Sequence, residues 1–480
     1  MLLRQTLLYL PAQVIGPVFQ FVSILVWTHF LSPASLGVFA LVMAAQELAF
    51  TATLFWFSLY TMRYHDATGA PAGRRRFLDT ELAVLASSAV ASVVLVLALA
   101  GVVETAWTAP VVLASLAHIV TRGVVAHLTD RARAEHDALT YTALQIIWPV
   151  LGLAFSALLA IVLGGSVAAI LWGYTLAQML AIAVAALRLE FGRNPFALDR
   201  DMVRAALRYG LPLLGGGVFI WLAINGLRFI VEQQSGAAAV GLITVGWMLG
   251  YRAMSFAAML VTAGAFPLAM RRARERGIEA GQQQLERNGV LLLAALLPAA
   301  AGLWLVADPM VRLTVAEPFQ AMTMSILPMS ILAGVLRVYR IHFAEQIFLL
   351  SEQTFIPFCN DVFDAVASLT GVAIGLALGG LSGSITGAAA GALASLLVTS
   401  AIAWRMHRYA VPPLDVAKLS VATVIMSVAV ASLPSLPDLA SIMFSVAVGT
   451  LVYAAVLAAL YPDARRGTLE VVRNAARRLA

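Results

Sequence analysis

Arginines and carboxylates stand inside long apolar stretches of this 480-residue chain. A charge near a bilayer centre costs about 2.5–3.5 kcal/mol on insertion scales, so each such residue needs a partner, a cavity or a task. Glu47 lies midway along the second stretch, Arg122 midway along the fourth and Arg252 midway along the eighth, with Arg228 nearer the outer end of the seventh. Arg337, Arg340 and Glu345 occupy the inner half of the tenth stretch, and Asp361 and Asp364 the inner half of the eleventh. The chemistry these types suit is anion recognition. A guanidinium presents a planar fork of donors that matches phosphate oxygens and keeps its charge. Arg252 and Arg122 are the first candidates, followed by Arg228. His118, four residues before Arg122, shares its helical face and reads either as a second contact or as a packed core residue. Glu47 and Arg252 also read as an ion pair between two halves of the chain, which would latch one face shut. Arg337 and Arg340 read as partners of Asp361 and Asp364 at similar depth. Pairing of Arg337 with Glu345 is disfavoured, because eight residues span two turns. Glu47, Asp361 and Asp364 are candidate Na⁺ or H⁺ sites. No phosphate loop, paired-histidine metal motif or nucleophile elbow occurs, so no catalytic or metal-binding residue is assigned.

The elements that must position these residues are fourteen apolar stretches, each long enough to cross a bilayer of ~30 Å. Arginines fill every second gap between them: Arg63 to Arg76, Arg131 to Arg133, Arg188 to Arg208, Arg271 to Arg287, Arg405 to Lys418 and Arg465 to Arg478. The gaps Leu31 to Ser35, Glu104 to Thr108, Gly164 to Ser166, Gln233 to Ala239 and Gly379 to Gly383 hold no Lys or Arg. Positive charge stays on the cytoplasmic side, so the alternation predicts an all-α, multi-pass protein of the bacterial inner membrane with both termini inside. Composition agrees: 61% of residues are hydrophobic, 12% are charged, and mean hydropathy is +0.89. The net charge of +6 belongs to loops facing anionic headgroups, which removes the reason to invoke nucleic acid. No stretch remains for a soluble catalytic domain. The single cysteine, Cys359, excludes disulfides within the chain and reads as a buried spacer.

A faint internal repeat runs at an offset of 200 residues: Tyr9, Gly16, Val18 and Phe19 recur as Tyr209, Gly216, Val218 and Phe219, with Pro11 and Pro212 near register. Gly37, after a short outside turn, matches Gly241 after another. The repeat predicts two pseudo-symmetric six-helix halves, 1–190 and 191–410, and a third part, 411–480, of two extra helices and a basic tail. Pro11, Gly16 and Pro17 in the first helix fall at the depth of Pro212, Gly216 and Gly217 in the seventh. Proline removes a backbone hydrogen bond and glycine permits bending, so these two helices are the candidate hinges.

Residues 9–42, YLPAQVIGPVFQFVSILVWTHFLSPASLGVFALV, resemble the first helical hairpin of polysaccharide-type exporters in the multidrug/oligosaccharidyl-lipid/polysaccharide (MOP) flippase superfamily. The likeness rests on the turn Leu31-Ser32-Pro33 and the start Leu36-Gly37-Val38-Phe39-Ala40, echoed by Ala239-Val240-Gly241-Leu242-Ile243. The resemblance implies a central V-shaped cleft, alternating access, and a lipid-linked sugar as cargo. That cargo would be an undecaprenyl-pyrophosphate-linked glycan, with membrane lipid, a polysaccharide polymerase and assembly proteins as partners. No cofactor is implied beyond coupling to a Na⁺ or H⁺ gradient. The alternatives are an ion-coupled drug or metabolite antiporter of the same superfamily and, third, a membrane enzyme acting on lipid-linked sugars. Multidrug members commonly carry an acidic residue in the first helix, whereas Thr6 to Leu31 contains none.

Overall fold

Helix starts are written into the turns. Ser32, followed by Pro33, accepts the Ser35 backbone N–H at 3.3 Å, and Ser166 accepts that of Ala169 at 3.2 Å. Asp137 accepts that of Thr140 at 3.1 Å. Each satisfies a donor that the first helical turn leaves open. The computed structural model describes residues 2–65, 71–102, 107–434 and 436–462, and every regular element among them is helical. In chain order the helices begin with α1 (Leu2–Thr28), α2 (Pro33–Thr53), α3 (Phe55–Tyr64), α4 (Pro71–Val102) and α5 (Ala109–Ala134). Then come α6 (Ala138–Leu163), α7 (Val167–Ala186), α8 (Arg200–Arg276), α9 (Ile278–Leu305) and α10 (Ala307–Thr314). The last are α11 (Glu317–Tyr339), α12 (Gln346–Leu350), α13 (Phe355–His407), α14 (Pro413–Ala431) and α15 (Asp438–Leu460), with a π-helical turn, Arg340–Ala344, before α12.

Two of these elements are each a pair of rods. α8 breaks at Gly236 (φ 77°, ψ 173°), and α13 breaks at Gly379 and Gly380, the latter at φ 59°. Both breaks lie in charge-free gaps, and at Gly236 and Gly380 a positive φ calls for glycine. Among the described residues, eleven helices are long and apolar enough to cross a membrane, with α8 and α13 counted once each; α1 adds a shorter apolar stretch, Val14–Thr28. The protein is therefore a multi-pass membrane protein. The basic tail beyond residue 462 lies outside the described residues.

The chain divides into two compact units, Met1–Val245 with Asp361–Gly387, and Gly246–Asn360 with Ala388–Ala480. In the second, α14 and α15 pack on each other through Ala422, Met426 and Tyr453. The Tyr453 hydroxyl donates to the Ala294 carbonyl of α9 at 2.9 Å, which ties the pair to its neighbour. Cys359 is exposed, which corrects the expected buried spacer.

Candidate functional site

Within the first unit, α2 and α8 cross at the two glycines of the repeated motif. A Cβ at Gly37 would fall 1.8 Å from the Ala237 carbonyl oxygen, and one at Gly241 would fall 1.9 Å from that of Pro33. Only glycine lets the two backbones touch. From this crossing the helices run side by side. Trp221 donates its indole N–H to the Ala44 carbonyl at 3.0 Å, and Asn225 donates its amide to Glu47 Oε2 at 3.1 Å. Asn225 Oδ1 in turn accepts from Arg228 Nη1. Glu47 and Arg228 thus belong to one hydrogen-bonded chain, joined by a buried amide that a search for charges passes over. Glu47 is exposed, whereas Arg228 is 5% exposed and Asn225 3%.

Arg122, on α5, is held by its face. Its guanidinium carbon sits 4.1 Å from the ring centroid of Trp148 on α6, a cation–π stack that leaves the N–H edges clear. Among the described residues, no protein acceptor takes a hydrogen bond from them, and Glu47 is near enough to interact electrostatically. His118, one turn earlier, is 1% exposed. Its Nδ1 lies 3.3 Å from Gln178 Nε2, its ring meets Tyr174 edge-on at 5.9 Å, and Gln178 Oε1 accepts from Thr121 at 2.5 Å. In this conformation His118 is packed in the core with Nδ1 facing the Gln178 amide, and among the described residues its buried Nε2, like the Arg122 edges, meets no protein acceptor.

The candidate hinge glycines are pressed between neighbours. A Cβ at Gly217 would lie 3.3 Å from Thr51 of α2, one at Gly216 would lie 3.4 Å from Asp361 Oδ2, and one at Gly16 would lie 2.9 Å from the Gln145 carbonyl oxygen of α6. The helical backbone of α1 continues through Pro11, Gly16 and Pro17, and that of α8 through Pro212. The side chains of Pro11 and Pro212 lie outside the described residues. Asp361 and Asp364 are buried in the first unit, where Asp364 accepts from Ser368 at 3.1 Å. Arg252, Arg337 and Arg340 belong to the second unit; Arg252 is half-buried, and Arg337 and Arg340 are fully buried. Arg340 pairs with Glu345, a partner that helical spacing does not suggest. The π-helical turn from Arg340 to Ala344 brings residues five apart onto one face.

The segment between α7 and α8, residues 187–199, is clamped to α4 and α5. Asp79 Oδ1 accepts the backbone N–H of Arg193 at 2.6 Å and that of Asn194 at 3.2 Å, and Thr80 Oγ1 accepts that of Asp199 at 3.1 Å. Gly192 lies against the Leu78 carbonyl. Arg74 Nε donates to Glu190 at 2.8 Å, and this bond holds the Glu190 carboxyl below the usual carboxylate range.

This arrangement of helices is a fold found among solved structures. It is shared, at 12% identity, with the lipid II flippase MurJ in an inward closed conformation, over 95% of this chain and 99% of that one, with a TM-score of 0.73. An inward-facing multidrug resistance MATE family transporter of the MOP superfamily matches at 14% identity over 87% and 98% of the two chains, TM-score 0.61. The MATE multidrug transporter DinF-BH matches at 16% identity over 84% and 95%, TM-score 0.55. No curated protein sequence matches. The chain belongs to the polysaccharide biosynthesis protein family, whose sequence profile matches residues 2–271.

Proposed function

We propose that the protein is a flippase, not an enzyme, that carries a polyprenyl-pyrophosphate-linked oligosaccharide from the cytoplasmic to the periplasmic leaflet for surface-polysaccharide assembly, of the exopolysaccharide or O-antigen kind. One observation carries the reading: within a polysaccharide biosynthesis protein, Arg122 is stacked on Trp148 inside a membrane span with its N–H donors unspent. A fixed guanidinium with open donors suits a pyrophosphate. Arg252 is the second candidate by its place in its span. Arg228 is spent in part on Asn225 and supports Glu47 instead. Transport proceeds by alternating access, with α1 and the first rod of α8 bending at their glycines, and Na⁺ or H⁺ taken by Glu47, Asp361 or Asp364. The membrane is the bacterial inner membrane with both termini cytoplasmic, and a polymerase and assembly proteins take over the product.

The test is surface-polysaccharide export in a strain carrying Arg122→Gln at matched protein level, with lipid-linked intermediates assayed in the inner leaflet. Lost polymer with accumulated intermediate is the expected result. Normal export would remove Arg122 as a headgroup ligand. If deletion of the gene were equally silent, an ion-coupled drug or metabolite antiporter, in line with the multidrug resistance MATE transporter of similar fold, would replace the flippase.

A further inference from the structure

The packed ends of α3, α4 and α5 in the first unit enclose a set of ionisable groups with no part in the reading above. Ser58 Oγ lies 2.8 Å from His127 Nδ1, and His127 Nε2 lies 2.8 Å from Glu81 Oε1. Arg131 spends its whole fork here: Nη1 donates to Glu81 Oε2 at 2.6 Å, Nε to Glu135 Oε1 at 2.8 Å, and Nη2 to the Glu190 carbonyl at 2.6 Å. His127 and Arg131 are 0% exposed and Glu81 is 1% exposed. The Phe57 ring covers the imidazole at 5.7 Å.

Proton counting makes this more than a structural ion pair. The line between Nε2 and Glu81 Oε1 holds one proton in any state. The other ring nitrogen is the variable, because Ser58 can donate to a bare Nδ1 or accept from a protonated one without any heavy atom moving. Two carboxylates, Glu81 and Glu135, share one guanidinium, so a neutral imidazole leaves the hydrogen-bonded set with one excess negative charge. Excess charge away from water is costly, and a second proton on His127 removes it. The other groups facing the cluster do not supply that charge. Arg74 bridges Glu190 at 2.8 Å and Glu135 at 4.0 Å, and counting Arg74 and Glu190 together leaves the excess unchanged; Asp130 interacts with Arg133 and Arg122 as well as with His127. His65, 3.6 Å from Glu135, has its imidazole pushed below the ordinary value, chiefly by burial, so it is the poorer acceptor.

We propose that His127 is a proton-binding site in this transporter, and that its proton holds closed the clamp of Arg131 on the segment 187–199. The proton enters from the end of the bundle where Glu135, Arg74 and Glu190 reach the surface, with side chains 14%, 41% and 66% exposed. Loading adds a proton to Nδ1 and turns the Ser58 hydroxyl away; no other bond changes. Unloading restores the excess negative charge, favours escape of Glu135 toward water, and loosens Arg131 from Glu190. Segment 187–199 leads directly into α8, so the protonation state reaches the helix that carries Asn225 and Arg228. The inference does not depend on what cargo is carried.

The test uses ¹⁵N-histidine NMR on the purified full-length protein from pH 5 to 8.5, together with a spin label at Phe196→Cys, 92% exposed in the clamped segment, in a Cys359→Ser background. Expected are an imidazolium signal present in wild type and His65→Gln but absent in His127→Gln, and a rise in label mobility as that signal is lost. The mobility change should vanish in His127→Gln. A neutral His127 across the whole range would overturn the proposal, as would an unchanged mobility transition in His127→Gln. Should His127→Gln fail to fold, Ser58→Ala serves: it removes the acceptor for Nδ1–H and should weaken proton binding about tenfold, and unchanged binding would overturn the proposal.

Discussion

Adding one methyl group at Gly37 tests whether the repeated motif is a backbone crossing. The new Cβ would lie 1.8 Å from the Ala237 carbonyl oxygen, whereas real Cβ contacts stay beyond 3.0 Å, so α2 and α8 must part by at least about 1.2 Å. At Gly241 the corresponding distance to the Pro33 oxygen is 1.9 Å, and the required shift is about 1.1 Å. The obstacle is backbone in both cases, with no rotamer to turn aside, which places the strain near the upper end of the ~1–3 kcal/mol seen for overpacked cores. Replacing glycine by alanine inside a helix returns about 1 kcal/mol of propensity. The net cost of Gly37→Ala or Gly241→Ala is therefore ~2 kcal/mol. The double variant should cost far less than the sum, because one separation of the helices relieves both contacts. Gly302→Ala is the control, since nothing lies within 4 Å of a Cβ there and only the propensity gain applies. Unfolding by SDS titration in mixed micelles gives the stabilities of wild type and the four variants. Single variants as stable as wild type, or strictly additive costs in the double variant, would refute a shared crossing.

Two further expectations follow from the geometry. Burial raises the Asp137 carboxyl, but hydrogen bonds from Thr140 and Arg188 outweigh it and hold the group below its ordinary 3.8. A depressed carboxylate contributes stability above its unfolded value and loses it as pH falls through the folded one. Asp137→Ala should therefore cost ~1 kcal/mol at neutral pH, with the gap to wild type closing below about pH 4; an unchanged gap at pH 3 would show that the charge contributes nothing. Trp148→Leu removes the ring that seats Arg122, worth about 0.5–2 kcal/mol of orientation, and should impair lipid-intermediate export while leaving folded protein in the membrane. Trp148→Phe should retain part of the activity, and wild-type export by Trp148→Leu would separate Arg122's role from its stack.

What was legible in the sequence is what residue type and spacing encode. Ser32-Pro33 and Ser166 mark helix starts because a cap needs only its own turn, and the glycines at 236 and 379–380 mark breaks because a left-handed or irregular step favours them. Gly37 and Gly241 were readable as corresponding positions, though not as each other's contact, since a repeat says which residues are alike and not which meet. The rest needed partners that spacing cannot supply. Glu81 lies 46 residues from His127 and 50 from Arg131, and Arg131 stands in a gap whose arginines read as solvated loop charge. Nothing in its neighbours along the chain says that its guanidinium is fully enclosed. Asn225 escaped for the opposite reason: a neutral amide raises no alarm in an apolar stretch, although it joins Glu47 to Arg228. A search for intramembrane charge therefore finds the ends of a polar chain and misses its middle. In this protein the middle decides what each arginine is free to do: Arg228 is spent on an amide, Arg131 on two carboxylates and a carbonyl, and Arg122, stacked on an indole, keeps its donors.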